Sequence, residues 1–69
     1  MTNEFIQLLR VNMRLNQQQF SVLLNANRSE LAQVEAGYRN ASQRLVSSIR
    51  ENIDAEFIEL VKAVYNWRK

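Results

Sequence analysis

The sequence lacks several residue types on which many active sites depend. Its 69 residues include no cysteine, no histidine and no proline, and only one glycine. Without cysteine the chain forms no disulfide or thiolate metal site, and without histidine it lacks the commonest general base. The acidic residues form no convincing catalytic pair, and no glycine-rich phosphate-binding loop is present. We therefore expect no enzymatic activity, no metal, no cofactor and no small-molecule ligand.

The scarcity of proline and glycine favours an all-α chain. A chain of 69 residues makes one domain, residues 1–69, and buries only about 60% of its unfolded surface, so oligomerisation would add stability. No stretch approaches the roughly 20 apolar residues of a membrane span. The N-terminal residues show neither the basic nor the apolar region of a signal peptide. We expect a soluble protein of the cytoplasm.

Positive charge is concentrated in the middle of the chain. Residues 10–50 contain six arginines and two glutamates, a net charge of +4 by subtraction. Residues 51–69 contain four acidic and three basic residues, a net charge of −1. A basic segment of this kind is typical of a nucleic-acid-binding surface, although an ordinary solvated surface is the alternative.

A short helix is predicted over residues 17–24. Asn16 is a favourable N-cap, and Gln19 three residues later completes a capping-box pattern. Asn25 tolerates the left-handed conformation that ends a helix. The small Ser21 would let a second helix approach closely. The residues predicted to face inward are Phe20, Leu23 and Leu24.

A second short helix is predicted over residues 28–36. Asn27 and Glu30 repeat the capping-box pattern, and Gly37, the only glycine, is a natural helix terminator. Leu31 and Val34 are predicted to face inward. Two capped helices joined by a short turn form a helix-turn-helix unit.

The stretch from Leu15 to Ser42 resembles the lambda-repressor/Cro type of helix-turn-helix proteins, also called the XRE family. The spacing agrees without a gap at Leu15, Asn16, Gln17, Phe20, Ser21, Asn25, Ala26, Asn27, Leu31, Ala32, Glu35, Gly37, Arg39, Ala41 and Ser42. Asn25 replaces the family's turn glycine, Phe20 an aliphatic residue and Ala41 the usual proline. The resemblance implies a compact five-helix domain, with the helix-turn-helix at helices 2 and 3, that binds double-stranded DNA.

The second helix of this unit is the candidate recognition helix. Arginine can form two hydrogen bonds with guanine, and glutamine can form two with adenine. The methyl group of an alanine can contact the methyl group of thymine. Helix-turn-helix proteins contact bases through the N-terminal part of this helix. The expected base-contacting residues are Arg28, Ser29, Ala32 and Gln33.

The phosphates of the DNA backbone are expected to contact side chains around this helix. The resemblance makes Gln17 a phosphate ligand and places a phosphate-binding loop after Gly37. The expected phosphate-contacting residues are Asn16, Gln17, Arg39, Asn40 and Arg44. Tyr38, in the same loop, either stacks on sugar-phosphate or covers the core. The resemblance also implies a structural ion pair between Arg10 and Glu35.

Three further helices complete the predicted fold. Helix one is expected from the cap Thr2 to about Met13, with Phe5, Leu8, Leu9 and Met13 inward and Ile6 at the margin. Helix four is expected over residues 43–52, with Ser42 as its cap. Helix five is expected over about residues 55–68 with Asp54 as its cap, although a bent continuous helix from 43 onward is the alternative.

Helix five carries more apolar surface than one buried face requires. Its apolar positions cover well over half of the helix circumference. A second subunit explains the surplus, and the expected dimer-interface residues are Ile58, Val61, Tyr65 and Trp67. The alternative is a helix that wraps a small core and leaves some aromatic side chains exposed.

These patterns together predict a sequence-specific transcriptional regulator. The resemblance favours a small Cro-like repressor, of a phage or a compact mobile element, that binds a palindromic operator as a homodimer. It would act in the cytoplasm of a prokaryotic or phage-infected cell. The alternative function is a protein-binding module on the same fold, such as an antirepressor or an antitoxin-like partner.

Overall fold

A computed structural model describes residues 1–67 of the chain. This part of the chain contains five α-helices and no strand, which confirms the all-α prediction. The helices are α1 (Asn3–Asn12), α2 (Gln17–Leu24), α3 (Arg28–Glu35), α4 (Gln43–Asn52) and α5 (Ala55–Trp67). The predicted end of the last helix at Arg68 lies outside the described residues. No helix in the described part of the chain is long and apolar enough to cross a membrane.

The first three helices each end in the same left-handed turn. The residues with positive φ are Arg14 at 61°, Asn25 at 52° and Gly37 at 85°. In each case the amide of the next residue bonds to the carbonyl five positions back: Leu15 to Arg10, Ala26 to Ser21, and Tyr38 to Gln33. This is the Schellman arrangement, which satisfies carbonyl groups that a helix end leaves without partners. Three similar reversals therefore follow one another along the first half of the chain.

The boundary between α4 and α5 is a true break. Ile53 has extended backbone angles, φ −122° and ψ 136°, that no helix accommodates. The Asp54 carboxylate accepts a hydrogen bond from the Glu56 amide at 2.9 Å, as an N-cap does. The alternative of one bent continuous helix is therefore wrong.

All five helices contribute to a single apolar core. Its buried residues are Phe5, Ile6, Leu9, Phe20, Leu24, Leu31, Val34, Leu45, Ile49, Ile53 and Val61. Two details differ from the sequence prediction. Ile6 is completely buried rather than marginal, and Leu23 is 37% exposed. As predicted, Ser21 lies within the buried arc of α2; it is 4% exposed, and its small side chain permits close packing.

The packing of the helices leaves one side of α3 open. Helix α2 packs on α3 and α4, whereas α1 packs on α3 and α5. The Phe5 and Tyr65 rings meet edge to face, with centroids 5.7 Å apart, and Thr2 donates a hydrogen bond to the Tyr65 hydroxyl at 3.3 Å. Helix α5 is thus attached chiefly to α1, while α1 and α2 support α3.

Candidate nucleic-acid interface

One side of α3 presents the residues that were expected to contact bases. At about 100° per residue, these four positions fall within roughly 140° of the helix circumference. Three of them are exposed and Ala32 is half-buried. Leu31 and Val34, on the opposite side, are completely buried. We call this surface the α3 strip, and its residues are Arg28, Ser29, Ala32 and Gln33.

The start of α3 has the predicted N-cap, Asn27, but not the complete predicted capping box. The Asn27 side-chain oxygen accepts hydrogen bonds from the amides of Ser29 at 2.7 Å and Glu30 at 3.2 Å. The Glu30 carboxylate does not return to the Asn27 amide, so the predicted capping box is wrong in that half. The Glu30 carboxylate instead accepts a 3.0 Å hydrogen bond from the Ser42 hydroxyl. The Ser42 hydroxyl in turn accepts a hydrogen bond from the Leu45 amide. Ser42 therefore ties the start of α4 to α3.

The start of α2 carries the complete capping box that was predicted. The Asn16 side chain accepts from the Gln19 amide at 2.7 Å, and the Gln19 side chain accepts from the Asn16 amide at 2.9 Å. Two of the backbone donors that this helix end leaves without partners are satisfied in this way.

The end of α3 is anchored by the ion pair between Arg10 and Glu35. Arg10 Nε lies 3.0 Å and 2.9 Å from the two carboxylate oxygens of Glu35, and the carboxylate side chain is only 2% exposed. Arg10 Nη1 donates to the Leu15 carbonyl at 2.8 Å. Gln17 Nε2 adds a hydrogen bond of 3.3 Å to the same carboxylate. The pair thus joins the α1–α2 connection to α3 and fixes the side chain of Gln17.

The exposed charge around α3 has one sign. Between residues 13 and 48, all of which the structure describes, every exposed charged side chain is an arginine. Those arginines are Arg14, Arg28, Arg39 and Arg44. The two carboxylates of this segment, Glu30 and Glu35, are occupied by the internal bonds described above. The exposed acidic residues of the described chain lie elsewhere: Glu4, Glu51, Asp54, Glu56 and Glu59.

The expected phosphate ligands lie at both ends of α3. Gln17 donates a hydrogen bond to Glu35, the last residue of α3. Arg44, on α4, lines a cavity of about 230 Å³ together with the α2–α3 turn and Glu30, at the N-terminal end. Arg39 and Asn40 are exposed in the loop that follows α3, and no described hydrogen bond joins their side chains to the other candidates. Asn16 is exposed at the α2 start.

The structure adds Arg14 to this surface and decides between the two alternatives for Tyr38. Arg14 is exposed and lies two positions before the cap of α2, so it belongs to the basic surface although it was not assigned to it. Its charge and its place next to a helix start were the available signals. Tyr38 is 84% exposed, so it does not cover the core. Its ring remains available to stack on a ligand.

The expected dimer surface on α5 needs correction. Val61 is only 5% exposed and belongs to the core of its own subunit. Ile58 and Tyr65 are half-buried against that core, which leaves Trp67 as the one exposed member of the four. The pattern could not show this, because an apolar arc of more than half a helix does not reveal which part faces α1. The large apolar residues that α5 exposes are Leu60, Val64 and Trp67.

Comparisons of the chain with known protein families, with curated proteins and with solved structures gave no match. The function is therefore inferred from the side chains that the surface of the molecule presents. That surface combines a strip of hydrogen-bonding side chains on α3 with exposed arginines on the surrounding elements.

Proposed function

We propose that this protein binds double-stranded DNA in a sequence-specific manner and acts as a small transcriptional repressor of the lambda-repressor/Cro type. One observation carries the proposal: the segment from residue 13 to residue 48 exposes arginines as its only charged side chains. A surface of one sign attracts a polyanion, and DNA carries one charge per about 1.7 Å of its axis.

The dimensions of α3 support insertion into the major groove. An α-helix with its side chains is about 10–12 Å across, which fits the roughly 12 Å width of the major groove of B-DNA. Its packed side rests on α1 and α2, so the α3 strip can face the base edges. Helices α2 and α3 then act as the helix-turn-helix unit, with α3 as the recognition helix.

The α3 strip offers two side chains that can form paired hydrogen bonds with a base. Arg28 presents two parallel donors that match O6 and N7 of guanine, and the Gln33 amide matches N7 and N6 of adenine. The two residues are five positions apart, about 7.5 Å along the helix axis, or roughly two base-pair steps. The expected half-site therefore contains a guanine and an adenine about two base-pair steps apart. The Ala32 methyl group lies between them and suits a thymine methyl.

Phosphate contacts at both ends of α3 would set its register on the duplex. Gln17 is held by Glu35, so its position is fixed before DNA arrives. Arg14, Arg39 and Arg44 supply positive charge, and Tyr38 an exposed ring. Such contacts make affinity fall with salt, with a slope of about −0.9 per phosphate neutralised.

A homodimer would present two α3 helices to successive major grooves. A two-fold axis in the protein then matches a palindromic operator, whose half-sites lie about 34 Å apart. Bound in this way within a promoter, in the cytoplasm, the dimer would exclude the transcription machinery.

The test is selection of bound duplexes from a random-sequence pool, followed by salt titration of binding to the selected site. The informative variant is Arg28→Lys, which keeps the charge but loses the fork that recognises guanine. Arg50→Lys is the matched control, since Arg50 is also an exposed arginine but lies on α4, where it lines a cavity with residues of α1 and α5 and is not part of the α3 strip.

We expect Arg28→Lys to weaken binding to the selected site by about 5- to 150-fold, equivalent to 1–3 kcal/mol, while binding to unrelated duplex stays unchanged. Arg50→Lys should leave both unchanged. A folded wild-type protein that enriches no sequence, and binds duplex only in a weak and salt-sensitive way, would overturn the proposal and favour a protein partner.

A further inference from the structure

A cavity of about 260 Å³ lies where α1, α4 and α5 approach one another. Helix α4 packs chiefly on α2, and helix α5 packs chiefly on α1. The cavity therefore lies between two pairs of helices that are not tightly packed on each other. None of the residues assigned above to DNA binding lines it. We call it the α1–α4–α5 cavity, and the residues that line it include Phe5, Arg50, Ile58, Glu59, Lys62 and Tyr65.

The inner side of the α1–α4–α5 cavity is apolar and aromatic. Phe5 is 6% exposed, and Ile58 and Tyr65 are half-buried beside it. The planes of the Phe5 and Tyr65 rings meet at 73°, and the Thr2 hydroxyl donates a hydrogen bond to the Tyr65 hydroxyl. Two rings held in this way suit a third aromatic ring, which packs against them edge to face or offset. Since an apolar cavity of about 150 Å³ holds benzene, this cavity has room for a ring and a short polar group.

The outer side of the cavity carries charge. Arg50 of α4 and the α5 residues Glu59 and Lys62 line it, and all three are exposed. In the part of the chain that the structure describes, none of the three forms an ion pair. Two cations and one carboxylate leave an excess of one positive charge, whichever cation the carboxylate accompanies. The charge of the cavity therefore complements a ligand with a single negative charge.

The sequence of α5 places the apolar and charged groups side by side. At about 100° per residue, positions 58, 59, 62 and 65 fall within an arc of roughly 120°. Ile58 and Tyr65 occupy the edge of this arc nearest the buried Val61, and Glu59 and Lys62 occupy the remainder. One side of a single helix thus offers an apolar surface and a charged surface to the same ligand.

We infer that the α1–α4–α5 cavity binds a small aromatic carboxylate. Its ring would pack on Phe5 and Tyr65, and its carboxylate would accept hydrogen bonds from Arg50 and Lys62. Inorganic phosphate would leave the apolar side unfilled, and an uncharged aromatic molecule would leave the two cations without a partner. This inference departs from the expectation that no small molecule binds. That expectation followed from the lack of catalytic and metal-binding residue types, which non-covalent binding does not require.

The first experiment is a titration of the isotope-labelled protein with phenylacetate, followed by the shifts of its amide resonances. Acetate, benzyl alcohol and phenethylammonium are the comparison probes, since they lack the ring, lack the charge or reverse it. We expect phenylacetate to bind with a dissociation constant on the order of 0.1–1 mM, as suits so small a ligand, and the comparison probes to bind roughly five- to tenfold more weakly. The largest shifts should come from the residues that line the cavity.

Two further readings of this titration decide the inference. Transfer of magnetisation from the ring protons of phenylacetate to the rings of Phe5 and Tyr65 would place the ligand as described. No shift at about 10 mM phenylacetate, or equal binding of benzyl alcohol, would overturn the inference. Equal binding of acetate would show that the aromatic side is unused and would overturn it as well.

The second experiment uses two substitutions on α5 that should act in opposite directions. Lys62→Gln removes a cation and should weaken phenylacetate binding by about two- to fivefold. Glu59→Gln removes the carboxylate that competes for the cations and should strengthen binding by a similar factor. Glu51→Gln is the matched control, because it removes the same charge from an exposed residue that does not line the cavity. Circular dichroism checks that all three variants fold.

We expect Glu51→Gln to bind phenylacetate as the wild type does. If it strengthens binding as much as Glu59→Gln does, the effect comes from net charge and not from the cavity, and the inference fails. Because the ligand would join α4 to α1 and α5, phenylacetate at ten times its dissociation constant should raise the melting temperature by roughly 5–10 °C. An equal rise in wild type and Lys62→Gln at one phenylacetate concentration would also refute the inference.

The inference goes beyond the proposed function, and both experiments are performed without DNA. If phenylacetate binds in the cavity and no duplex is selected, the proposed function fails and the ligand site stands. If a duplex is selected and phenylacetate does not bind, the reverse holds. If both bind, saturating phenylacetate should not displace the selected duplex, because the two sites share no assigned residue. Displacement would place the carboxylate among the arginines around α3 and overturn the inference.

Discussion

The ion pair between Arg10 and Glu35 gives the most stringent prediction about the fold. The perturbation is Arg10→Met, which keeps an unbranched apolar stem and removes the charged guanidinium group. The Glu35 carboxylate, 2% exposed, would then keep one side-chain donor, Gln17 at 3.3 Å. A carboxylate that has neither water nor a cation cannot recover its lost hydration.

The magnitude follows from burial. Breaking a buried ion pair by removing one partner costs about 3–5 kcal/mol. The whole domain has a stability of roughly 3–10 kcal/mol, at 0.05–0.15 kcal/mol for each of its 69 residues. We therefore expect Arg10→Met to lower the melting temperature by roughly 12–40 °C, at 4–8 °C per kcal/mol.

Two companion variants make the measurement specific. Glu35→Gln keeps the shape and a hydrogen-bonding oxygen, so we expect a smaller loss of about 1–3 kcal/mol. The double variant Arg10→Met/Glu35→Leu removes both charges, and we expect it to be more stable than Arg10→Met alone. Urea unfolding followed by circular dichroism gives all four free energies. If Arg10→Met unfolds within about 1 kcal/mol of the wild type, the carboxylate is not held as described.

Three further substitutions test single features of the structure. Ser42→Ala should cost about 1–2 kcal/mol in urea unfolding, because it removes the cap of α4 and the hydroxyl that bonds to Glu30. Arg14→Gly should raise the free energy of unfolding by about 0.5–1 kcal/mol, since glycine adopts the positive φ without strain, and it should reduce the salt dependence of duplex binding. Tyr38→Ala should change stability by less than about 0.5 kcal/mol and weaken DNA binding, as fluorescence anisotropy with labelled duplex would show; a clear loss of stability would mean that the ring has a packing role.

Local chemistry explains how much of the fold could be predicted. Caps at Asn16, Asn27 and Ser42 fixed the starts of three helices, because each side chain satisfies an amide within its own first turn. Such bonds depend on neighbours in the sequence and so are visible in it. The left-handed ends at Asn25 and Gly37 were predicted for the same reason.

What the sequence did not show depends on distant partners. The positive φ of Arg14 has no compositional signal, because arginine does not favour that conformation. The partner of Glu30 is Ser42, twelve residues away, and not the nearby amide that the capping pattern suggested. The exposure of Leu23 and the burial of Val61 depend on how the helices pack. Periodicity gives an apolar arc but not the direction in which the arc points.

The same carboxylates that stabilise α3 also decide the sign of its surface. At about 100° per residue, Glu30 and Glu35 lie on the two flanks of the buried arc formed by Leu31 and Val34. From these positions each can reach an internal donor, Ser42 in one case and Arg10 in the other. Both carboxylates therefore bond to groups within the domain. Arg28 is the only charged side chain on the outward side of α3.

A net charge of +2 therefore understates the attraction that a phosphate would experience near α3. Interactions between exposed charges are largely screened beyond about 8 Å at physiological ionic strength. The domain measures 30 × 23 × 22 Å, and its exposed acidic residues lie on the first turn of α1, the end of α4 and α5. A phosphate beside α3 would thus respond to the nearby arginines more than to the total charge. Stability and binding are linked at this point, because a variant that releases either carboxylate from its internal donor would weaken both.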